Sequence, residues 1–137
     1  MSLNKSIEQL ENDVWIEDGE FPSRLVERCF KYRKTPIGSL TNEQLRTLLS
    51  QKIGTKYLLP IVIEKLEENP LSEGDLYEGD LLESTSKIEE DIWISNPELF
   101  SKYKYIVENN HSLITEEIGE KTYNKIKEVI NKVHNKV

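Results

Sequence analysis

The chain has 137 residues, of which 31% are charged and 36% hydrophobic, and its formal net charge is −7. This length predicts a single domain spanning residues 1–137. The hydrophobic residues are clustered and periodic, which favours a folded, heavily charged helical domain over disorder. The negative balance argues against a general nucleic-acid-binding protein, because phosphates require concentrated lysine and arginine.

The first part of the chain predicts two helices. Residues 6–15 place apolar side chains at helical spacing. Residues 22–34 begin with a proline, which suits a first helical turn, and end before the second proline of the chain. The inward stripe of this second helix comprises Leu25, Val26, Cys29, Phe30 and the stem of Arg33.

The helix that follows Leu40 carries the clearest local signal. Thr41 as N-cap and Gln44 three residues later form a capping box. Leu40 and Leu45 have the spacing of a hydrophobic staple around the same cap. We expect Gly54 to supply a left-handed residue at the C-terminal end of this helix.

A more apolar helix is predicted over residues 55–68, with Thr55 as its cap. Pro60 lies near its first turn, so the helix either begins late or bends there. Its apolar residues fall on nearly every side, which is typical of a helix buried by its neighbours.

The second half predicts a glycine-rich loop and further helices. Residues 72–79 read as the loop, and Asp80 as the N-cap of a short helix. A second short helix carries Ile88, Ile92 and Trp93, and Asn96-Pro97 begins a longer one. The last helix is expected from residue 115 to the end of the chain. The predicted fold class is therefore all-α, a compact single-domain bundle of about six to seven helices with an acidic, Gly-containing loop.

Negative charge is concentrated in residues 64–91. This stretch holds eleven acidic residues and two lysines, a local charge of −9 against −7 for the whole chain. The remaining residues therefore sum to +2, so the molecule has an acidic region on an otherwise slightly basic chain. Such a region is compatible with a basic partner.

No catalytic motif is present, and we predict no catalytic residue, no metal site and no cofactor. The chain lacks a phosphate-binding glycine loop and a Gly-x-Ser-x-Gly elbow. His111 and His134 have no acidic or cysteine neighbour at metal-ligand spacing, and Cys29 is expected to be a core thiol. No apolar run reaches the length of a membrane span, and the first residues do not read as a secretory signal, so we expect a cytoplasmic protein.

The acidic loop is the strongest candidate site. Glu73, Asp75, Glu78 and Asp80 could offer oxygen ligands to Mg²⁺ or Ca²⁺, but their order does not match an EF-hand loop. The loop could also be merely a solvated turn. A partner-binding surface is the favoured interpretation, because Tyr77 among four acids has the character of a binding hot spot.

Several segments of this sequence resemble a known family. One runs Leu45-Arg46-x-Leu48-x-x-Gln51-x-Ile53-Gly54-x-x-Tyr57-Leu58-x-Pro60, and the next Glu64-x-Leu66-x-x-Asn69-Pro70-Leu71-x-Glu73-Gly74-Asp75-x-Tyr77-x-Gly79-Asp80-Leu81-Leu82. Trp15, Ile92-Trp93 and Ile118-Gly119 belong to the same pattern. Together they resemble the immunity proteins of bacterial contact-dependent growth inhibition.

The resemblance implies a non-enzymatic cytoplasmic protein that binds and neutralises the toxin domain of a cognate effector. Such toxins are often nucleases, whose basic active sites an acidic inhibitor could cover. The predicted partner-binding residues are Glu67, Glu68, Glu73, Asp75, Tyr77, Glu78 and Asp80. Two alternatives remain open: a divalent-metal-dependent enzyme that uses the acidic loop, and a helical scaffold that binds through the basic side chains of Arg24, Arg28, Lys31, Arg33 and Lys34.

Overall fold

The computed structural model describes residues 3–17 and 19–137, and this part of the chain is helical with no strand. The prediction of an all-α fold is confirmed, although the described residues form more helices than the six to seven expected. A 3-10 turn, Ile37–Ser39, follows the second helix. The α-helices are α1 Ile7–Glu11, α2 Arg24–Arg33, α3 Asn42–Ser50, α4 Thr55–Glu68, α5 Asp80–Ser86, α6 Glu90–Ser95, α7 Pro97–Glu108, α8 His111–Ile118 and α9 Glu120–His134.

Local capping signals fix several helix starts. At α3 the Gln44 amide donates to Thr41 Oγ1 at 3.2 Å, and the Thr41 amide donates to Gln44 Oε1 at 2.9 Å. The predicted capping box is thus confirmed, and α7 begins at Pro97 as expected. The caps of two other helices were predicted wrongly, because Gly54 and Gly79, both left-handed, stand at the N-caps of α4 and α5.

Backbone conformation at two residues ends helices where periodicity predicted that they continue. Asn12 is left-handed (φ 52°), so α1 stops at Glu11 and Val14 lies exposed. Gly119 has φ 87° and ψ 156°, a conformation that glycine alone adopts readily, and it separates α8 from α9. The prediction of one helix from residue 115 to the end was therefore wrong.

The core is built around α4, as its all-round apolar pattern predicted. Leu58, Leu59, Val62, Ile63 and Leu66 are all buried, and α4 packs against α3, α5 and α7. A second part of the core surrounds Trp93, whose ring meets those of Phe100 and Tyr103. No helix in the described part of the chain is both long and apolar enough to cross a membrane.

We expect Gly54→Ala to lower the free energy of unfolding by about 2 kcal/mol, because an L-residue in the left-handed region costs about 1–2 kcal/mol before any contact is counted. A Cβ at this position would also lie 2.7 Å from Ile7 Cδ1, so α1 would have to shift. Urea denaturation measures the loss. Gly19→Ala is the control, since Gly19 has φ 86° with nothing within 4 Å of its would-be Cβ. Equal losses in the two variants would show that the contact with Ile7 costs nothing.

Candidate functional site

The segment between α4 and α5, residues 69–79, crosses the surface between α3 and α8. An isolated antiparallel bridge joins Glu73 to Glu78 and closes the segment into a tight loop. Asn42 Nδ2 at the start of α3 donates to the Glu73 carbonyl at 3.3 Å. On the other side, a Cβ at Gly79 would lie only 2.8 Å from Ile118 Cγ2, so the loop end sits directly on α8. We call residues 73–79 the display loop.

Asp80 holds the display loop from behind. Its carboxylate is buried, with a residue exposure of 1%. Oδ1 accepts from the Gly74 amide at 2.7 Å, and Oδ2 accepts from the amides of Leu76 and Tyr77 at 3.0 and 3.3 Å. Arg46 Nε lies 3.9 Å from Oδ2 and supplies a nearby positive charge. The sequence predicted Asp80 as a contact residue, whereas its carboxylate faces the protein interior.

Glu43 on α3 supplies the acceptor for the remaining amide of this turn. Its Oε1 accepts from the Asp75 amide at 3.0 Å, and Arg46 binds the same carboxylate through Nε and Nη2, each at 2.6 Å. The hydrogen bonds from Arg46 hold the pKa of Glu43 below its ordinary value. Four successive amides, those of residues 74–77, therefore donate to two carboxylates. Sequence reasoning missed Glu43, because nothing local connects it to a loop about thirty residues later.

With its backbone turned inward, the display loop presents its side chains to solvent. Asp75, Leu76, Tyr77 and Glu78 are all exposed, Leu76 to 61% and Tyr77 to 41%. The Tyr77 hydroxyl donates to the Glu83 carboxylate on α5. Partial burial, together with that carboxylate, raises the pKa of Tyr77 to about 12, so the phenol stays neutral. Leu76 and Tyr77 border a cleft of about 230 Å³ whose other walls come from α3 and α5.

A third carboxylate joins Glu73 and Glu78 from α8. The negative charge of Glu78 raises the pKa of Glu117, and Glu73 adds to the effect. Within the described residues, none of these three carboxylates forms an ion pair. Like charges held together in this way destabilise the isolated protein. Glu117 could not be found from the sequence, because it lies about forty residues beyond the loop that it faces.

Glu67 and Glu68 lie apart from the loop acids. Both are exposed near the end of α4, but Glu67 borders a small groove with Pro70 and Tyr105. Glu68 instead borders a different groove, together with Gly38. The predicted contact residues are therefore not a single cluster in the structure. Glu73, Asp75, Tyr77 and Glu78 are brought together, and Glu117 extends the acidic surface.

The geometry gives the metal alternative little support, but it leaves two of the basic side chains on α2, Arg24 and Arg28, exposed. No group of three histidine, cysteine or acidic side chains among the described residues is arranged to hold a metal ion. Both oxygens of Asp80 are already occupied by amide donors. On the basic helix α2, Arg33 is buried, while Lys31 and Lys34 pair with Glu27 and Glu17. Cys29 is buried as expected, and burial raises its pKa.

We expect the stability that Glu43 contributes to disappear in acid. Because its folded-state pKa lies below its ordinary value of 4.5, the contribution is present above about pH 4.5 and is lost as the pH falls through the folded pKa. Glu43→Gln should cost about 1.5–3 kcal/mol at pH 7, the range for hydrogen bonds to charged groups. Urea denaturation of both proteins from pH 7 to pH 3 tests this. The two stability curves should converge at the acid end, and a gap that is constant across the range would contradict the assignment.

Comparison with known proteins supplies the family. A family model described as CDI immunity proteins matches residues 9–103, about two-thirds of the chain. The match runs from α1 into α7 and includes the display loop with Glu43, Arg46 and Asp80, but not Glu117. Neither the curated proteins nor the solved structures gave a match. The chain belongs to the immunity proteins of contact-dependent growth inhibition (CDI).

Proposed function

We propose that this protein binds the toxin domain of its cognate CDI effector in the cytoplasm and neutralises it without catalysis, with the display loop at the centre of the interface. The observation that carries the proposal is the arrangement of residues 75–78. Their side chains are exposed, and the backbone amides of residues 74–77 donate to Asp80 and Glu43. Membership of an immunity family and a fixed, outward-facing loop support the same function.

The chemistry of the surface indicates what kind of toxin it fits. Leu76 and Tyr77 offer exposed apolar area, with Asp75 on one side and Glu78 on the other. Aromatic and apolar anchors within a charged rim are typical of interface hot spots. The rim here is acidic, so the complementary surface is basic.

A nuclease is the toxin class that this charge favours. An enzyme that cleaves nucleic acid holds phosphates with lysine and arginine, which make the region of its active site basic. The carboxylates of Glu73, Glu78 and Glu117 would take the place of phosphates in the positive electrostatic field of that active site and would raise the association rate constant. Charge complementarity supports the nuclease assignment, while the family itself supports a toxin partner.

Co-purification tests the function directly. The probe is the C-terminal toxin domain of the effector whose gene lies immediately upstream of the gene for this protein. We expect a one-to-one complex on size-exclusion chromatography and restored growth of cells that express the toxin domain. Nuclease activity of the free toxin domain on RNA and DNA should disappear in the complex. Failure to form a complex, with growth unrelieved, would refute the proposed function.

We expect Glu117→Gln to stabilise the free protein and to weaken its complex. The folded-state pKa of Glu117 is raised by Glu78, so at neutral pH its ionised form is disfavoured by folding and its removal relieves repulsion. A basic partner would relieve the same repulsion, so the variant should bind about ten-fold more weakly, roughly one charged contact. Thermal unfolding and calorimetric titration with the toxin domain measure the two effects. Unchanged affinity would place Glu117 outside the interface.

A further inference from the structure

We propose that Glu43 and Asp80 are positioning residues for toxin recognition: they hold the backbone of the display loop in its partner-binding conformation before the partner arrives. The inference rests on the proposed function and assigns roles within the same surface. Neither carboxylate needs to touch the toxin. Each acts through the loop backbone, whose exposed side chains make the contact.

The pattern of hydrogen bonds favours a role in positioning the loop over a general role in stabilising the fold. Every amide from Gly74 to Tyr77 donates to one of the two carboxylates, and no donor in the turn is left to water. From Asp75 onward the side chains of these residues are exposed. The hydrogen bonds of the two carboxylates therefore fix the backbone of a surface turn rather than that of a core element.

The two carboxylates come from different parts of the structure. Asp80 is the first residue of α5, and Glu43 lies in the first turn of α3, which packs against α5. Arg46 approaches both carboxylates and keeps the two negative charges compatible. The loop is thus fixed to two packed helices at once, so its shape is set by the rigid part of the molecule.

Gly74 is an independent sign that the fit is close. A Cβ at this position would lie 2.6 Å from Glu43 Oε1 and 3.1 Å from Asp80 Oδ2. Any larger residue would push one carboxylate off its amide. Gly74→Ala should therefore disturb the loop in the same way as loss of a carboxylate, without any change in charge.

A fixed loop has a measurable consequence for binding. When only a fraction of the free molecules holds the binding conformation, the apparent affinity falls by that fraction. Loosening the loop should slow association, because the partner must wait for the competent conformation. Dissociation should change little, because the bound partner itself keeps the loop ordered.

The test uses Asp80→Asn, Glu43→Gln and Gly74→Ala. An amide side chain has the shape of the carboxylate, but it turns one donor toward an existing N–H donor, so a hydrogen bond becomes a clash. Glu64→Gln is the matched control, because it removes one exposed charge on α4 away from the loop. Amide hydrogen exchange of residues 74–77 and binding kinetics with the upstream-encoded toxin domain are measured for each protein.

We expect exchange at residues 74–77 to rise at least about ten-fold and association to slow by about ten-fold in the three variants. The control should match the wild-type protein in both. Faster amide exchange with an unchanged association rate constant would overturn the proposal. A weaker complex whose loss lies in faster dissociation, with amide exchange unchanged, would overturn it too. If Asp80→Asn does not fold, the other two variants decide. If the wild-type protein itself forms no complex, the proposed function fails, and that outcome is distinct from a failure of the variants.

Discussion

Reversal of the three exposed acids of the display loop, Glu73→Lys, Asp75→Lys and Glu78→Lys together, is expected to weaken the complex with the toxin domain by about 1,000-fold, or about 4 kcal/mol. All three side chains are exposed, so the fold should survive. Like charges facing each other across an interface cost several kcal/mol. Because long-range attraction also disappears, the association rate should lose most of its dependence on salt. Stopped-flow association at several ionic strengths, with calorimetry, measures both effects.

The control for this experiment is a second triple reversal with the same change in net charge. Glu64, Glu89 and Glu128 are exposed, lie outside the display loop and form no ion pair within the described residues. Their replacement by lysine should reduce affinity by less than about ten-fold through the overall field alone. Equal losses in the two triple variants would mean that the toxin senses net charge and does not contact the display loop.

The position of the display loop could be predicted from the sequence, but the orientation of all its side chains could not. The segment was identified as acidic, glycine-containing and non-helical, and Glu73, Asp75, Tyr77 and Glu78 do lie together at the surface. Asp80 was predicted both as the N-cap of a short helix and as a contact residue, yet its carboxylate is buried whereas the side chains of Glu73, Asp75 and Glu78 are exposed. The difference arises because α5 begins at Asp80, so its side chain turns back over the loop. Only the three-dimensional path of the chain decides that orientation.

The predictions that are confirmed depend on neighbouring residues, although the caps of α4 and α5 are local features that were predicted wrongly. The capping box at Thr41 and the buried character of α4 follow from residues within one or two turns. Glu43 and Glu117 meet the loop only after α3 and α8 have packed around it. Gly119 was recognised as a weak position within one predicted helix, and in the structure it separates α8 from α9, which pack against each other. The display loop itself could therefore be predicted from local sequence, whereas Glu43 and Glu117 join it only through long-range packing.

The N-terminal segment depends on a buried arginine in a way that periodicity did not reveal. Arg33 was expected to contribute its stem to the inward face of α2, but the whole side chain is buried, with 1% exposure. Its Nη2 donates to Glu11 Oε1 and to the Asp13 carbonyl, each at 2.8 Å. The guanidinium also lies 4.0 Å from the ring centroid of Trp15, which packs edge-on against Phe30. One side chain thus joins the residues after α1 to α2.

Arg33→Ala is expected to lower the free energy of unfolding by about 2–4 kcal/mol, because it removes a buried side chain together with its charged hydrogen bonds. The loss combines a cavity, the charged hydrogen bonds to Glu11 and the Asp13 carbonyl, and the cation–π contact with Trp15. The Glu11 side chain is 33% exposed, so water solvates its carboxylate once Arg33 is removed. Arg33→Lys should recover only part of the loss, because an ammonium group cannot reproduce the contact of the planar guanidinium with the Trp15 ring or its arrangement of several N–H donors. Urea denaturation measures the three proteins, with Arg28→Ala, exposed on the same helix, expected to stay within about 0.5 kcal/mol of the wild type. A loss below about 1 kcal/mol for Arg33→Ala would mean that the N-terminal segment is held by Trp15 and its apolar contacts alone.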